Sequence, residues 1–102
     1  MANDILFDVP EILRFGPITT KPGMEFNKQP NGDSVMWFKV KNVESSVVVK
    51  IDEFEIPGYF GGDLVTCTIP KKFFSAASEH RIYLYNKSNG LTSNTVIFSV
   101  KP

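Results

Sequence analysis

The chain has 102 residues, of which 42% are hydrophobic, and its 11 basic and 11 acidic side chains cancel. That length makes one domain, and so apolar a composition excludes a disordered segment. Zero formal net charge argues against a dedicated nucleic-acid binder or a polybasic membrane binder, both of which need a basic field. The lone cysteine, Cys67, excludes an intrachain disulfide and a multi-cysteine zinc site.

Residues 1–8 carry neither the basic n-region nor the apolar h-region of a signal peptide, and no apolar run approaches the roughly 20 residues that cross a bilayer. Two expectations stand side by side: a protein made inside the cell, or a module of a longer secreted chain. Ile5, Leu6 and Phe7 are adjacent and apolar. They either extend the first strand or, with the rest of residues 1–9, form an arm that adds a strand to a neighbour's open edge. Residues 10–102 are the domain.

Pro10, Pro17, Pro22 and Pro30 break the first third into short extended pieces that suit edge strands. Ile12, Phe15 and Phe26 are the core candidates there, and Asn31-Gly32 predicts a turn. Val35–Asn42 alternates, with Met36, Phe38 and Val40 facing inward and Val35 and Trp37 outward. Val47–Asp52 does the same, with Val47, Val49 and Ile51 inward and Val48 and Lys50 outward. Pro57-Gly58 and Gly61-Gly62 predict a loop around Tyr59-Phe60. Asp63–Ile69 places Val65, Cys67 and Ile69 on one face. Lys71–His80, after Pro70, is the best helical stretch, at one or two turns. In Arg81–Asn86, Ile82 and Leu84 face in while Tyr83 and Tyr85 face out. Ser88-Asn89-Gly90 predicts a second turn. Thr95–Val100 closes the chain with Val96, Phe98 and Val100 inward and Thr95 and Ile97 outward. This two-residue period, in runs rich in β-branched and aromatic residues, predicts an all-β sandwich of two sheets and about seven strands, with at most a short helical turn.

The residues that could carry chemistry are few. His80 is the sole histidine. It lies beside Glu79, has no Gly-x-Ser-x-Gly elbow in the sequence to serve, and reads as an exposed loop or strand-end residue. Cys67 reads as a small buried hydrophobe, because no cationic neighbour lowers its pKa. Asp52-Glu53-Phe54-Glu55 with Asp63 offers carboxylates without the Asp-x-Asp-Gly pattern, short of the roughly six to eight oxygens Ca²⁺ takes, and reads as a solvated loop. Asn86-Lys87-Ser88 is a glycosylation triplet that matters only in a eukaryotic secretory context. No catalytic residue, cofactor or metal is expected. The outward aromatic and apolar side chains suit an interface instead. The interface candidates are Ile5, Leu6, Phe7, Trp37, Val48, Lys50, Tyr83, Tyr85 and Ile97.

Three stretches resemble a known family. They are Pro10-Glu11-Ile12 with Pro17-Ile18, the run Leu64–Pro70 with its Cys67-x-x-Pro70 step, and the closing Asn86, Gly90, Ser93-Asn94 and Phe98-x-Val100. Over residues 10–100 this order is similar to an IPT/TIG-type immunoglobulin-like domain. Lys21-Pro22-Gly23 and Lys41-Asn42-Val43 depart from the family's Gly-rich steps, so a general bacterial or viral immunoglobulin-like domain stands beside it. The resemblance implies an immunoglobulin-like sandwich that binds or builds. With no export signal in the sequence, the leading expectation is an accessory protein of a phage head or tail, docked on a capsid or tail protein and located in the virion. The alternative is an extracellular or cell-surface module that binds protein or a surface glycan. Nucleic acid and membrane insertion are not expected.

Overall fold

The computed structural model describes residues 9–102, so Ile5, Leu6 and Phe7 lie outside the described residues. Ten strands form: β1 (Glu11–Gly16), β2 (Thr19–Thr20), β3 (Val35–Lys41), β4 (Val47–Ile51), β5 (Phe54–Pro57), β6 (Tyr59–Gly61), β7 (Leu64–Thr68), β8 (Ser78–Asn86), β9 (Leu91–Thr92) and β10 (Val96–Val100). They build two sheets, one in the order β1-β3-β7-β6 and one in the order β2-β10-β8-β4-β5, with β9 paired to β8. This is an immunoglobulin-like two-sheet sandwich. The count exceeds seven because β2, β6 and β9 are pieces of two or three residues.

Alternation makes the core. Met36, Phe38, Val49, Ile51, Val65, Ile82, Leu84 and Phe98 are all completely buried, and they come from inner faces of both sheets. Phe15 and Val96, placed inward by the pattern, are only partly buried and pack against the core from its margin. Phe26 reaches the core from a loop and stacks edge-on to Phe98 at 5.5 Å and to Phe74 at 5.0 Å.

Turn chemistry sets the connections. Gly32 donates to the Gln29 carbonyl (2.8 Å), so Pro30-Asn31 is the centre of that turn and Gly32, at φ 91°, closes it. Gly90, at φ 75°, closes the β8–β9 hairpin and donates to the Asn86 carbonyl. Pro57-Gly58 carries the chain from one sheet to the other. A Cβ at Gly58 would meet the Val47 carbonyl at 3.3 Å and Val65 at 3.4 Å, so the chain passes there without a side chain.

The one or two helical turns expected within Lys71–His80 amount to one 3-10 turn, Lys71–Phe73, and two further expectations are corrected. Phe73 and Phe74 are both buried, and Ser78-Glu79-His80 begins β8 by pairing with Val100, Ser99 and Phe98. The Tyr59-Phe60 loop is strand β6, paired with Val65 and Thr66 of β7. The solvated loop at Asp52–Glu55 is a two-residue hairpin turn leading into β5, whose Ile56 joins the core opposite Val49.

Candidate functional site

Three places were open to function: the outer face of the β8 sheet, the outer face of the β3 sheet, and the end of the sandwich around His80. On the first, Val48 pairs with Tyr85 and Lys50 with Tyr83, so the four side chains lie on adjacent rungs of one face. Pro57 and Glu55 extend those rungs onto β5. Ile97, opposite Arg81, lies further along the same face and is 41% exposed. The expected patch therefore assembles, half-buried rather than free. The Tyr83 hydroxyl donates to Glu53 at 3.2 Å. Desolvation, and then the Glu53 charge, hold its phenol above the usual value. Lys50 lies 5.8 Å from the Tyr85 ring centre and 3.5 Å from Glu55. Glu55 also accepts from Lys87 at 2.8 Å, and that bond lowers its pKa.

Trp37 lies on the other sheet, away from this patch. Its register row runs Gly16, Trp37, Thr66, Tyr59 across all four strands. The indole rests on Gly16, where a Cβ would come within 2.7 Å of Nε1, Cε2 and Cζ2. Beside it a groove of about 450 Å³ runs along β1, lined in part by Leu13, Ile18, Trp37 and Val96. Asn94 closes the seam there by giving and taking hydrogen bonds with the Ile12 backbone, at 3.2 and 2.8 Å. Tyr59, on strand β6 rather than in the expected loop, is 68% exposed.

The end of the sandwich corrects the reading of His80. It is 7% exposed, inside β8 and opposite Phe98. Its Nδ1 meets Asp52 Oδ2 at 2.5 Å and its Nε2 meets Ser78 Oγ at 2.9 Å. Acid, imidazole and hydroxyl thus stand in the order of a hydrolase triad. The wiring is different. Nε2 also meets the Phe73 carbonyl at 2.5 Å, and the Ser78 hydroxyl donates to the Ala76 carbonyl at 3.0 Å. A carbonyl only accepts, so while the Phe73 contact holds Nε2 carries a proton and does not accept one from Ser78. The cluster is a structural tie. Asp52 completes it by accepting from the Arg81 N–H at 3.0 Å. Burial works to raise the Asp52 pKa, but the His80 and Arg81 hydrogen bonds and charges outweigh it and hold the pKa below the ordinary value.

The other candidates are likewise committed elsewhere. Asp63 pairs with Lys39 at 3.3 Å, and no group of three metal-ligating side chains occurs among the described residues. Asn86 is completely buried, its amide accepting from the Glu44 N–H and donating to the Asn42 carbonyl, so it offers nothing to a glycosyl donor. Burial pushes the Cys67 thiol up to about 12, which leaves it an inert core side chain. Comparison with models of known protein families and with curated proteins finds no match to this chain.

Proposed function

We propose that the chain is a non-catalytic docking module that attaches to a larger assembly through the outer face of the β8 sheet. The finer reading is an accessory protein of a phage head or tail, bound to a capsid or tail protein. The carrying observation is the two-rung patch Val48–Tyr85 and Lys50–Tyr83 on that face. Partly covered tyrosines bring large contact area to an interface at low entropic cost. The IPT/TIG-like motifs support the finer reading, because such domains serve as decorations and accessory modules.

The test is composition. Virions purified from the source of the chain should contain it in stoichiometric amounts by mass spectrometry, and its absence there rejects the phage role. Tyr83→Ala should leave the isolated domain folded and lower its occupancy on the particle.

A second reading rests on the Trp37–Thr66–Tyr59 row. Two aromatic side chains two strands apart, about 10 Å by strand spacing, suit a glycan laid across a flat face. Binding on a glycan array that is lost in Trp37→Ala and Tyr59→Ala but kept in Tyr83→Ala would select this reading over the first.

A further inference from the structure

We propose that His80 is a proton-operated latch: as imidazolium it clamps the Lys71–Phe74 segment and the Asp52-Glu53 turn onto the second sheet, and as neutral imidazole it releases Lys71–Phe74. This goes beyond the docking role and does not depend on it.

The argument starts from donors and acceptors. Nδ1 lies 2.5 Å from a carboxylate oxygen and Nε2 lies 2.5 Å from a backbone carbonyl. Neither oxygen can donate while the carboxylate is ionised, so both contacts are hydrogen bonds only when both ring nitrogens carry protons. A neutral ring keeps one proton. The charge-assisted bond to Asp52 is the stronger of the two and retains it. Nε2 then turns a lone pair toward the Phe73 carbonyl and repels it. Ser78 stands 2.9 Å from Nε2 and can turn its hydroxyl from Ala76 to fill that lone pair. Strand β8 is thereby satisfied, and the Phe73 carbonyl is left without its donor.

Release would travel along the chain. The next carbonyl, that of Phe74, accepts from Gly23 at 2.7 Å, and the Met24 carbonyl accepts from the Thr20 hydroxyl at 3.0 Å. The 3-10 turn thus anchors the Lys21–Met24 turn, which forms one wall of a groove of about 510 Å³.

The charges around the ring are divided. Asp52 and Glu53, on the β4–β5 turn, favour the imidazolium. Arg81, whose backbone amide shares Asp52, and Lys72, 5.2 Å from the Phe73 ring centre, oppose it. Glu79 lies beside His80 in β8 but is exposed, on the opposite face of the strand. Strand β10 presents only the neutral Phe98 ring, 6.3 Å away and nearly parallel to the imidazole.

The sole histidine makes the test clean, since its ring nitrogens can be followed by ¹⁵N NMR without assignment ambiguity. Two protons on the ring are expected on the acid side of its titration. As the ring loses one, the amides of Phe74 and Gly23 should exchange roughly tenfold faster, after correction for intrinsic base catalysis, which is about what one hydrogen bond to a charged group is worth. Ring titration and amide release should share one midpoint. Asp52→Asn keeps an acceptor but removes the charge, and the two events should still share one midpoint in that variant. A ring that titrates while those amides keep their protection, or one that holds a single proton on the acid side while the protein stays folded, overturns the latch.

Discussion

The middle of the sandwich and the end that holds His80 are built by different forces. In the middle, completely buried Phe38, Val49, Val65 and Leu84 meet across the two sheets with no polar partner to satisfy. At the end, the β4–β5 turn, the 3-10 turn and the start of β8 meet through Asp52, the Phe73 carbonyl and one imidazole. The first kind of order asks for apolar surface of the right volume on the right face, because apolar burial is non-directional. The second requires particular atoms in place, since each donor has few acceptors and an unmade bond in a buried site is costly.

The sharpest way to separate the two is to cut each. Phe38→Ala removes a completely buried ring from the middle and should cost about 3–5 kcal/mol, read as a drop in the urea midpoint. Asn86→Ala cuts a polar tie of the second kind, at the end of β8 away from His80. It removes the partner of the Glu44 N–H and of the Asn42 carbonyl, in two part-buried hydrogen bonds. The expected loss is about 1–3 kcal/mol, the net worth of two hydrogen bonds at about 0.5–1.5 kcal/mol each. A cost near zero for Asn86→Ala would mean that apolar packing alone holds that end of β8.

The two kinds of order also differ in how far they can be read in advance. Inner faces were legible because the period is local: Val47, Val49 and Ile51 need only their own spacing to declare a buried face. The outward placement of Val48, Lys50, Tyr83 and Tyr85 follows from the same alternation. The polar ties were not legible. Asp52 and His80 are 28 residues apart, Asn86 and Asn42 are 44 apart, and Asn94 and Ile12 are 82 apart. No local rule joins such pairs. The Lys71–His80 stretch misled for the same reason. Its adjacent Phe73 and Phe74 suit one stripe of a helix, and Ser78–His80 becomes a strand because β10 lies alongside.

Acidification should weaken the tied end while sparing the apolar middle. The Asp52 carboxyl has a lowered pKa in the folded chain, so its stabilising contribution is complete above the ordinary carboxylate value of about 3.9. It is lost as pH falls from there through the lower native value. Asp52→Asn lacks this contribution at every pH. The gap in urea midpoint between wild type and Asp52→Asn should therefore be widest near neutrality and should narrow in acid. A gap that is constant from neutral to strongly acid pH would detach the carboxylate charge from the stability of that end.

The smallest expected effect concerns the turn that presents Asp52. Ile51 pairs with Phe54, so Asp52 and Glu53 are the whole connection, and both sit at positive φ, 48° and 72°. A two-residue hairpin of this hand favours Asn-Gly or Asp-Gly, because glycine meets no Cβ penalty there. Asp52 tolerates its position well and is needed for His80. Glu53 has only an exposed bond from Tyr83 to set against the strain. Glu53→Gly should therefore stabilise the domain by about 0.5 kcal/mol, the relief of left-handed strain less the greater freedom of glycine in the unfolded chain. The same change made at Asp52 should destabilise it, because the gain at the backbone cannot replace the carboxylate that His80 and the Arg81 amide share. Opposite signs at two adjacent positions with similar backbone angles would isolate the side-chain tie from the turn. Equal signs would assign the cost of this corner to the backbone alone.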